Sequence, residues 1–123
     1  MNTDFAFVRD FLLAVEREQT DPATPLSKDK LGFSKIPDGI FSRQVILFGR
    51  AELLEVINQK TEIGHQYFAA RLTKAGLEFL NEIRDEEIWK RILNIHTEEV
   101  QTFSLSVLIA LAQRVVELKR KNN

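Results

Sequence analysis

The strongest constraint on the fold is an amphipathic helical segment that runs directly into two short apolar segments. Residues 40–51 place their apolar side chains at helical spacing, which predicts a helix with one buried side. The segments 53–58 and 65–72 are short, apolar and rich in β-branched or aromatic residues, which is typical of strands. The polar segment 59–64 contains glycine, so we predict a β-hairpin whose loop is longer than a tight turn.

Upstream of this unit, the sequence predicts one helix and one segment without a long helix or strand. Apolar residues at helical spacing predict a first helix over 4–18, with Thr3 as its N-cap. The segment 26–39 predicts no long element because it contains proline and glycine. Ser27 can start a short helix there, and Gly32 prevents a long one.

Downstream of the hairpin, the sequence predicts helices only. Thr73 caps a helix whose apolar stripe drifts near Asp85, so we expect a break there with Asp85 as a new cap. Residues 96–103 are expected to be a connection. Ser104 then caps a last helix over 105–120, which ends in basic residues that suit the negative end of the helix dipole.

This order of elements predicts an α+β, mostly helical fold. A helix that leads straight into a two-stranded hairpin is the pattern of a winged helix, a helix-turn-helix plus a β-hairpin wing. With 123 residues, 44% of them hydrophobic, the chain fits a single domain over 1–123. Residues 74–123 are expected to form a C-terminal helical extension and dimerisation segment.

Composition excludes several classes of protein. The chain has no cysteine, which excludes disulfide scaffolds and thiolate metal sites. Its net charge of −1 excludes a uniformly basic nucleic-acid binder but not a local basic patch. The N-terminus lacks the pattern of a signal peptide, and the most apolar stretch, 105–116, is too short to span a bilayer. We therefore expect a cytoplasmic protein without a membrane partner.

The residues that catalysis needs do not form a recognisable pattern. His96 with Glu98 or Glu99 could ligate a metal, but a histidine beside acids in a polar connection is more simply solvated. The acidic run 85–87 is better explained as a helix start whose carboxylates favour the helix dipole. The sequence has no phosphate-binding glycine loop and no catalytic triad pattern. We predict no enzyme activity, no metal and no cofactor.

Positive charge is concentrated around the predicted recognition helix. Residues 28–50 hold five basic and two acidic side chains, whereas residues 1–27 hold two basic and five acidic ones. On the outward side of this helix, Arg43 and Arg50 can contact bases and phosphates, with Ser42 assisting and Lys60 of the wing reaching the backbone. Ile46, between the two arginines, suits either a thymine methyl group or a protein partner. These patterns predict double-stranded DNA as ligand, with a protein-interaction module, or ordinary solubilising charges, as the alternatives.

The last helix also suggests self-association. A 3-4-3 spacing, typical of a coiled-coil seam, is formed by Leu108, Leu111, Val115 and Leu118. Further apolar residues lie beyond this seam, so the helix is expected to be buried on more than one side. Either both sides pack within the chain, or one of them meets a second copy. We favour a homodimer, which would also place two recognition helices on one duplex.

Two stretches carry a family resemblance. The stretch 44–55, QVILFGRAELLE, and more specifically 71–89, RLTKAGLEFLNEIRDEEIW, resemble signatures of a bacterial and prophage winged-helix family catalogued as a domain of unknown function. The segment 24–34 is similar to its counterpart in the related YjcQ-like proteins. The resemblance implies a winged helix in a prophage-linked regulatory protein, and it implies no activity. It departs at Gln44, where the family often has His, and at Glu52, where a glycine is usual and a left-handed helix end is implied.

Overall fold

The computed structural model describes residues 5–62, 64–99 and 105–121. Within these residues the fold is α+β and mostly helical, with a two-stranded antiparallel sheet. The elements in chain order are α1 (Phe5–Glu18), α2 (Lys28–Leu31), α3 (Asp38–Arg50), β1 (Leu54–Thr61), β2 (Gly64–Leu72), α4 (Lys74–Arg84), α5 (Glu86–Glu99) and α6 (Leu105–Lys121). The coarse class and the order of elements predicted from the sequence are confirmed.

Aromatic side chains join α1 to α3. The ring of Phe11 on α1 lies 4.9 Å from the ring of Phe48 and 6.0 Å from that of Phe41, both on α3. All three rings are buried, and Val45 is buried beside them. Burial of rings this large contributes strongly to stability, so α3 is held with its inner side fixed and its outer side turned to solvent.

The segment without a predicted element contains α2 and a link to the hairpin. Ser27 accepts a hydrogen bond from the N–H of Lys30, and Gly32 ends α2 with a φ of 89°, so both signals are confirmed. Just before α2, the N–H of Leu26 donates to the carbonyl of Ala69 over 2.8 Å and forms an isolated antiparallel bridge with β2. The sequence analysis did not predict this bridge.

A left-handed residue links α3 to β1. α3 begins two residues earlier than predicted and ends at Arg50. Glu52 then takes a φ of 64°; its N–H donates to the carbonyl of Gly49, and the N–H of Leu53 donates to that of Phe48. These two bonds close a Schellman-type cap, which normally places glycine at the left-handed position. The strained helix end implied at Glu52 is confirmed.

The hairpin is longer and tighter than predicted. Pairing runs from Leu54↔Leu72 to Thr61↔Gly64, so only residues 62 and 63 lie between the strands. The predicted loop 59–64 is therefore wrong. The polar side chains of this segment lie at the exposed end of the hairpin. The two strands still pair there, because backbone hydrogen bonds between strands do not require apolar side chains. Lys60 consequently lies in β1, opposite His65.

The helices after the hairpin begin at the predicted caps. Thr73 Oγ1 accepts from the N–H of Gly76, and Asp85 Oδ1 accepts from the N–H groups of Glu87 and Ile88. The break near Asp85 is thus confirmed. The predicted connection 96–103 is wrong over 96–99, which continue α5, because polar residues without glycine or proline do not end a helix. The predicted caps Thr3 and Ser104 lie outside the described residues.

Gly76 brings α4 against the end of the α3 connection. A Cβ atom at this position would lie 2.0 Å from the carbonyl oxygen of Leu53. The same carbonyl accepts the N–H of Thr73, and Thr73 Oγ1 donates to the carbonyl of Glu52. The start of α4 is therefore fixed directly on the backbone that leads from α3 into the hairpin.

Candidate nucleic-acid interface

The outer side of α3 carries the side chains predicted to bind. The inner side of this helix buries Phe41, Gln44, Val45 and Phe48. Arg43 and Arg50 are exposed, whereas Ser42 and Ile46 are half-buried. We call the outward side chains Ser42, Arg43, Ile46 and Arg50 the α3 face. Arg43, Ile46 and Arg50 line one depression along this helix, and their role in binding stays a prediction.

The arginines of the α3 face differ from most others in the chain. Among the described residues, no carboxylate lies within 4.0 Å of the guanidinium group of Arg43 or Arg50. Of the remaining arginines, Arg120 likewise has no described carboxylate within this distance. Ion pairs with carboxylates are formed by Arg9, Arg17, Arg71, Arg84, Arg91 and Arg114. The α3 face thus holds two guanidinium groups whose charge no described carboxylate neutralises.

One of the basic residues counted near α3 serves the fold. Lys28 Nζ donates to the carbonyl of Ile36 over 2.6 Å and lies 3.1 Å from Asp38 Oδ1. It holds the backbone at the start of α3, and its charge is compensated. Lys30 and Lys35 are nearby and form no ion pair with any described carboxylate. The local excess of positive charge therefore remains.

Lys60 lies near the tip of the hairpin. Its side chain is exposed in β1, opposite His65 in β2. His65 Nδ1 lies 3.0 Å from Asn58 Oδ1, a hydrogen bond along the same ribbon. Glu62, in the turn, is exposed as well. The tip of the hairpin therefore presents one lysine and one carboxylate.

A shallow apolar groove lies between α3 and the hairpin. Its volume is about 340 Å³, and its lining residues are Ile46, Gly49, Arg50, Leu54, Val56 and Tyr67. At its base, a Cβ atom on Gly49 would lie 2.6 Å from Cγ2 of Val56, so the missing side chain lets helix and strand approach. A second depression of about 300 Å³ lies along Arg43, Ile46, Leu47 and Arg50. Ile46 lines both.

Sequence reasoning missed the strand side of this groove. Val56 pairs with Ala69, and Tyr67 lies two residues before Ala69 in β2, so Val56 and Tyr67 share one face of the ribbon. The alternation of Leu54 and Val56 was a signal for a shared face. The bulge between Glu55 and Val56 shifts the register, which sequence alone did not predict.

The four leucine and valine positions of the predicted seam on α6 have different surroundings. Leu108 and Val115 are buried within the chain, at 1% and 3% exposure. Leu111 is half-buried, and Leu118 is 41% exposed. A groove of about 260 Å³ beside Leu118 is lined by Arg91, Asn94, Ile95, Val115 and Leu118. The seam therefore has an inner half that packs on its own domain and an outer half that faces solvent.

The acidic residues at the start of α5 have structural partners. Asp85 Oδ2 accepts from Lys119 Nζ over 2.9 Å. This hydrogen bond, together with those from the N–H groups of Ile88 and Glu87, lowers the pKa of the Asp85 carboxyl below its ordinary value. Within the described part of the chain, no group of three or more histidine or acidic side chains is placed to hold a metal. The side chains of His96, Glu98 and Glu99 lie outside that description.

None of the described helices combines the length and the apolar character that are required to cross a bilayer.

Comparison with known proteins identifies one family. The family described as "Hypothetical protein (DUF2513)" matches residues 2–103. This range includes the α3 face and the whole hairpin and ends before α6. Neither the curated proteins nor the solved structures yield a match.

Proposed function

Because the chain belongs to the DUF2513 family, whose description names no activity, we propose a function from its geometry: a winged-helix protein that binds double-stranded DNA through the α3 face and the hairpin. The proposal covers a small regulatory protein with α3 as its recognition helix. The observation that carries it is the pair of exposed arginines on α3 without a carboxylate partner in the described chain.

The topology supports the winged-helix part of this proposal. α2 and α3 precede a hairpin whose first strand begins four residues after α3 ends. The bridge between Leu26 and Ala69 adds a third extended segment against the hairpin, just before α2. A helix, a short extended segment, two helices and a two-stranded wing is the arrangement in which a winged helix presents its recognition helix.

The spacing along α3 suits a major groove. Arg43 and Arg50 are seven residues apart, which corresponds to about 10 Å along a helix, or about three base-pair steps of B-DNA. Guanidinium groups bind guanine edges or phosphates, and Ile46 between them can contact a thymine methyl group. Lys60 extends the contact to a phosphate next to the groove. Ser42 adds a hydroxyl donor or acceptor at the same edge.

A salt series with mixed-sequence duplex DNA tests this proposal. We expect binding at low salt that weakens steeply as salt rises, because phosphate contacts release counterions. Arg43→Ala or Arg50→Ala is expected to weaken binding by about 1 to 3 kcal/mol, and Lys60→Ala to reduce the salt slope by about one. Arg114→Ala, an exposed arginine on α6, is the matched control and leaves binding unchanged. Absence of binding at the lowest salt contradicts the proposal.

The groove favours a second candidate function, a protein-interaction module. Ile46, Leu54 and Val56 line an open apolar surface with Arg50 at its rim. Such a surface fits an apolar side chain of a partner that carries a nearby carboxylate. A duplex titration of the unmodified protein separates the two functions, because only DNA binding predicts an affinity for duplex that falls steeply with salt. Ile46→Asp is expected to weaken binding of either ligand, since Ile46 lines both depressions.

We also propose that the outer half of the α6 seam forms a homodimer. In the outer half of the seam, Leu118 is 41% exposed and Leu111 is half-buried, and Val107, which lies beyond the seam, is 47% exposed. Val107, Leu111 and Leu118 are separated by four and then by seven residues. This helical spacing places them in one stripe along the solvent side of α6. Light scattering at about 100 μM tests the dimer, and Leu118→Asp is expected to shift it to the monomer mass. A monomer mass for the unmodified protein contradicts it.

A further inference from the structure

A cleft between α4 and α6 has a different character from the α3 face. Its volume is about 470 Å³. α4 contributes Glu78, Asn81 and Glu82, which recur at helical spacing on one side of that helix, and Asp85 follows directly after its end. α6 contributes Val116 and Arg120, and Ile88 of α5 closes one end. The cleft therefore combines acidic, basic and apolar groups within reach of a small molecule.

Glu82 is the least satisfied acid in this cleft. Its Oε2 atom has almost no contact with solvent and accepts no hydrogen bond within the described chain. Burial raises the pKa of this carboxyl, Arg120 opposes that rise, and Glu78 adds to it. Asp85, by contrast, is used fully by Lys119 and by the first turn of α5. Glu82 thus has unused capacity to bind a cationic donor, and the exposed Glu78, which forms no ion pair with a described cation, adds a second carboxylate to the same cleft.

Arg120 faces Glu82 without touching it. It is the third arginine that forms no ion pair with a described carboxylate, and it influences the Glu82 carboxyl through space only. A carboxylate and a guanidinium group therefore lie on opposite walls of one cleft and are more than 4.0 Å apart. A molecule that carries both an ammonium and a carboxylate group would complete both pairs.

We propose that the α4–α6 cleft binds a free α-amino acid with an aliphatic side chain. The ammonium group would donate to Glu82, the carboxylate would accept from Arg120, and the side chain would lie on Ile88 and Val116. Asn81 offers an amide next to the two charged groups. This site is independent of the α3 face, and Arg120 lies outside the residues that the family matches.

Calorimetric titration of the whole protein with leucine tests this inference. We expect binding below about 10 mM, and weaker binding by about tenfold or more for leucine amide, which lacks the carboxylate, and for 4-methylpentanoic acid, which lacks the ammonium group. No heat of binding at that concentration overturns the inference. Equal affinity for leucine and its amide overturns the assignment of Arg120.

Two variants and one control locate the site. Glu82→Gln and Arg120→Gln are each expected to weaken leucine binding by about tenfold or more, whereas Arg114→Gln on the same helix leaves it unchanged. Glu82→Gln keeps the shape of the side chain, so we expect the variant to fold. If it does not fold, the comparison of leucine, leucine amide and 4-methylpentanoic acid on the unmodified protein still tests the inference. Unchanged affinity in both cleft variants overturns the inference. Duplex DNA binding in the same variants stays normal, which separates this test from that of the proposed function.

Discussion

The cationic side chains in two regions of the molecule, the outer side of α3 and the contact between α1 and α5, have different surroundings. Arg9 of α1, where it meets α5, donates to the carbonyl of Arg84 and to Glu86, and its guanidinium group lies 5.5 Å from the centre of the Trp89 ring. Arg43 and Arg50 have no carboxylate within ion-pair distance in the described chain. Arg9 serves the fold, whereas the two α3 arginines leave their charge available to a ligand. The position of a basic residue in the sequence did not separate these roles; its partners did.

The largest expected effect comes from a change that pushes α4 away from the backbone between α3 and β1. Gly76→Ala places a Cβ atom 2.0 Å from the Leu53 carbonyl oxygen, which belongs to backbone and cannot rotate away. We expect a loss of about 2 to 3 kcal/mol in the free energy of unfolding, measured by urea denaturation. Gly39→Ala is the matched control: no atom lies within 4 Å of its Cβ position, so the variant should gain up to about 1 kcal/mol. Equal stability of both variants would refute the close approach.

The second effect tests the arginine comparison itself. Arg9→Ala removes two hydrogen bonds and the packing on Trp89, so we expect a loss of about 1 to 2 kcal/mol of stability. Arg43→Ala and Arg50→Ala should change stability by no more than about 0.5 kcal/mol, because each side chain is exposed and unpaired. The midpoints of urea unfolding measure all three. A loss at Arg50 as large as that at Arg9 would show that the α3 face also serves the fold.

A smaller gain is expected where α3 turns into the hairpin. Glu52 has a φ of 64°, which a side chain disfavours and glycine tolerates. Glu52→Gly should therefore raise the free energy of unfolding by about 0.5 to 1 kcal/mol. Gly32→Ala, at the corresponding left-handed position after α2, should lower it by a similar amount. Thermal unfolding of the two variants gives shifts of opposite sign if the caps are as described.

The smallest effect concerns acid stability. The Asp85 carboxyl has a lowered pKa in the folded protein, so its charged form stabilises the fold above the unfolded pKa of about 3.9 and loses this contribution as pH falls through the lowered value. Asp85→Asn keeps an oxygen acceptor for the cap but does not titrate. We expect the unmodified protein to lose stability more steeply than this variant below about pH 4. Parallel curves would exclude Asp85 from the acid response.

Local signals predicted the elements of the fold well. Ser27, Thr73 and Asp85 act as caps because a short polar side chain binds the free N–H groups of a helix start, a property of neighbours in sequence. The predicted loop at 59–64 is wrong because polar residues indicate that a segment is exposed, and an exposed segment can still form a strand. The bridge between Leu26 and Ala69 joins residues far apart in sequence, and no local pattern encodes such a contact.

The candidate site was predictable only in part. Helical spacing was enough to place Arg43, Ile46 and Arg50 on one side of α3. Which arginines remain without a carboxylate depends on tertiary neighbours, as the pairing of Arg84 with Glu16 on another helix shows. The division of the α6 seam likewise follows from packing: Leu108 and Val115 are buried, and Leu118 is not.

The close approach at Gly49 has a mechanical consequence. Since Val56 occupies the space that a side chain on Gly49 would fill, β1 packs directly against α3 at this point. A ligand that touches both α3 and the ribbon meets a ready-made template, and little conformational entropy is lost when it docks. A residue larger than glycine at this point would press on the Val56 methyl group, so either the Val56 side chain rotates or the ribbon shifts away from α3.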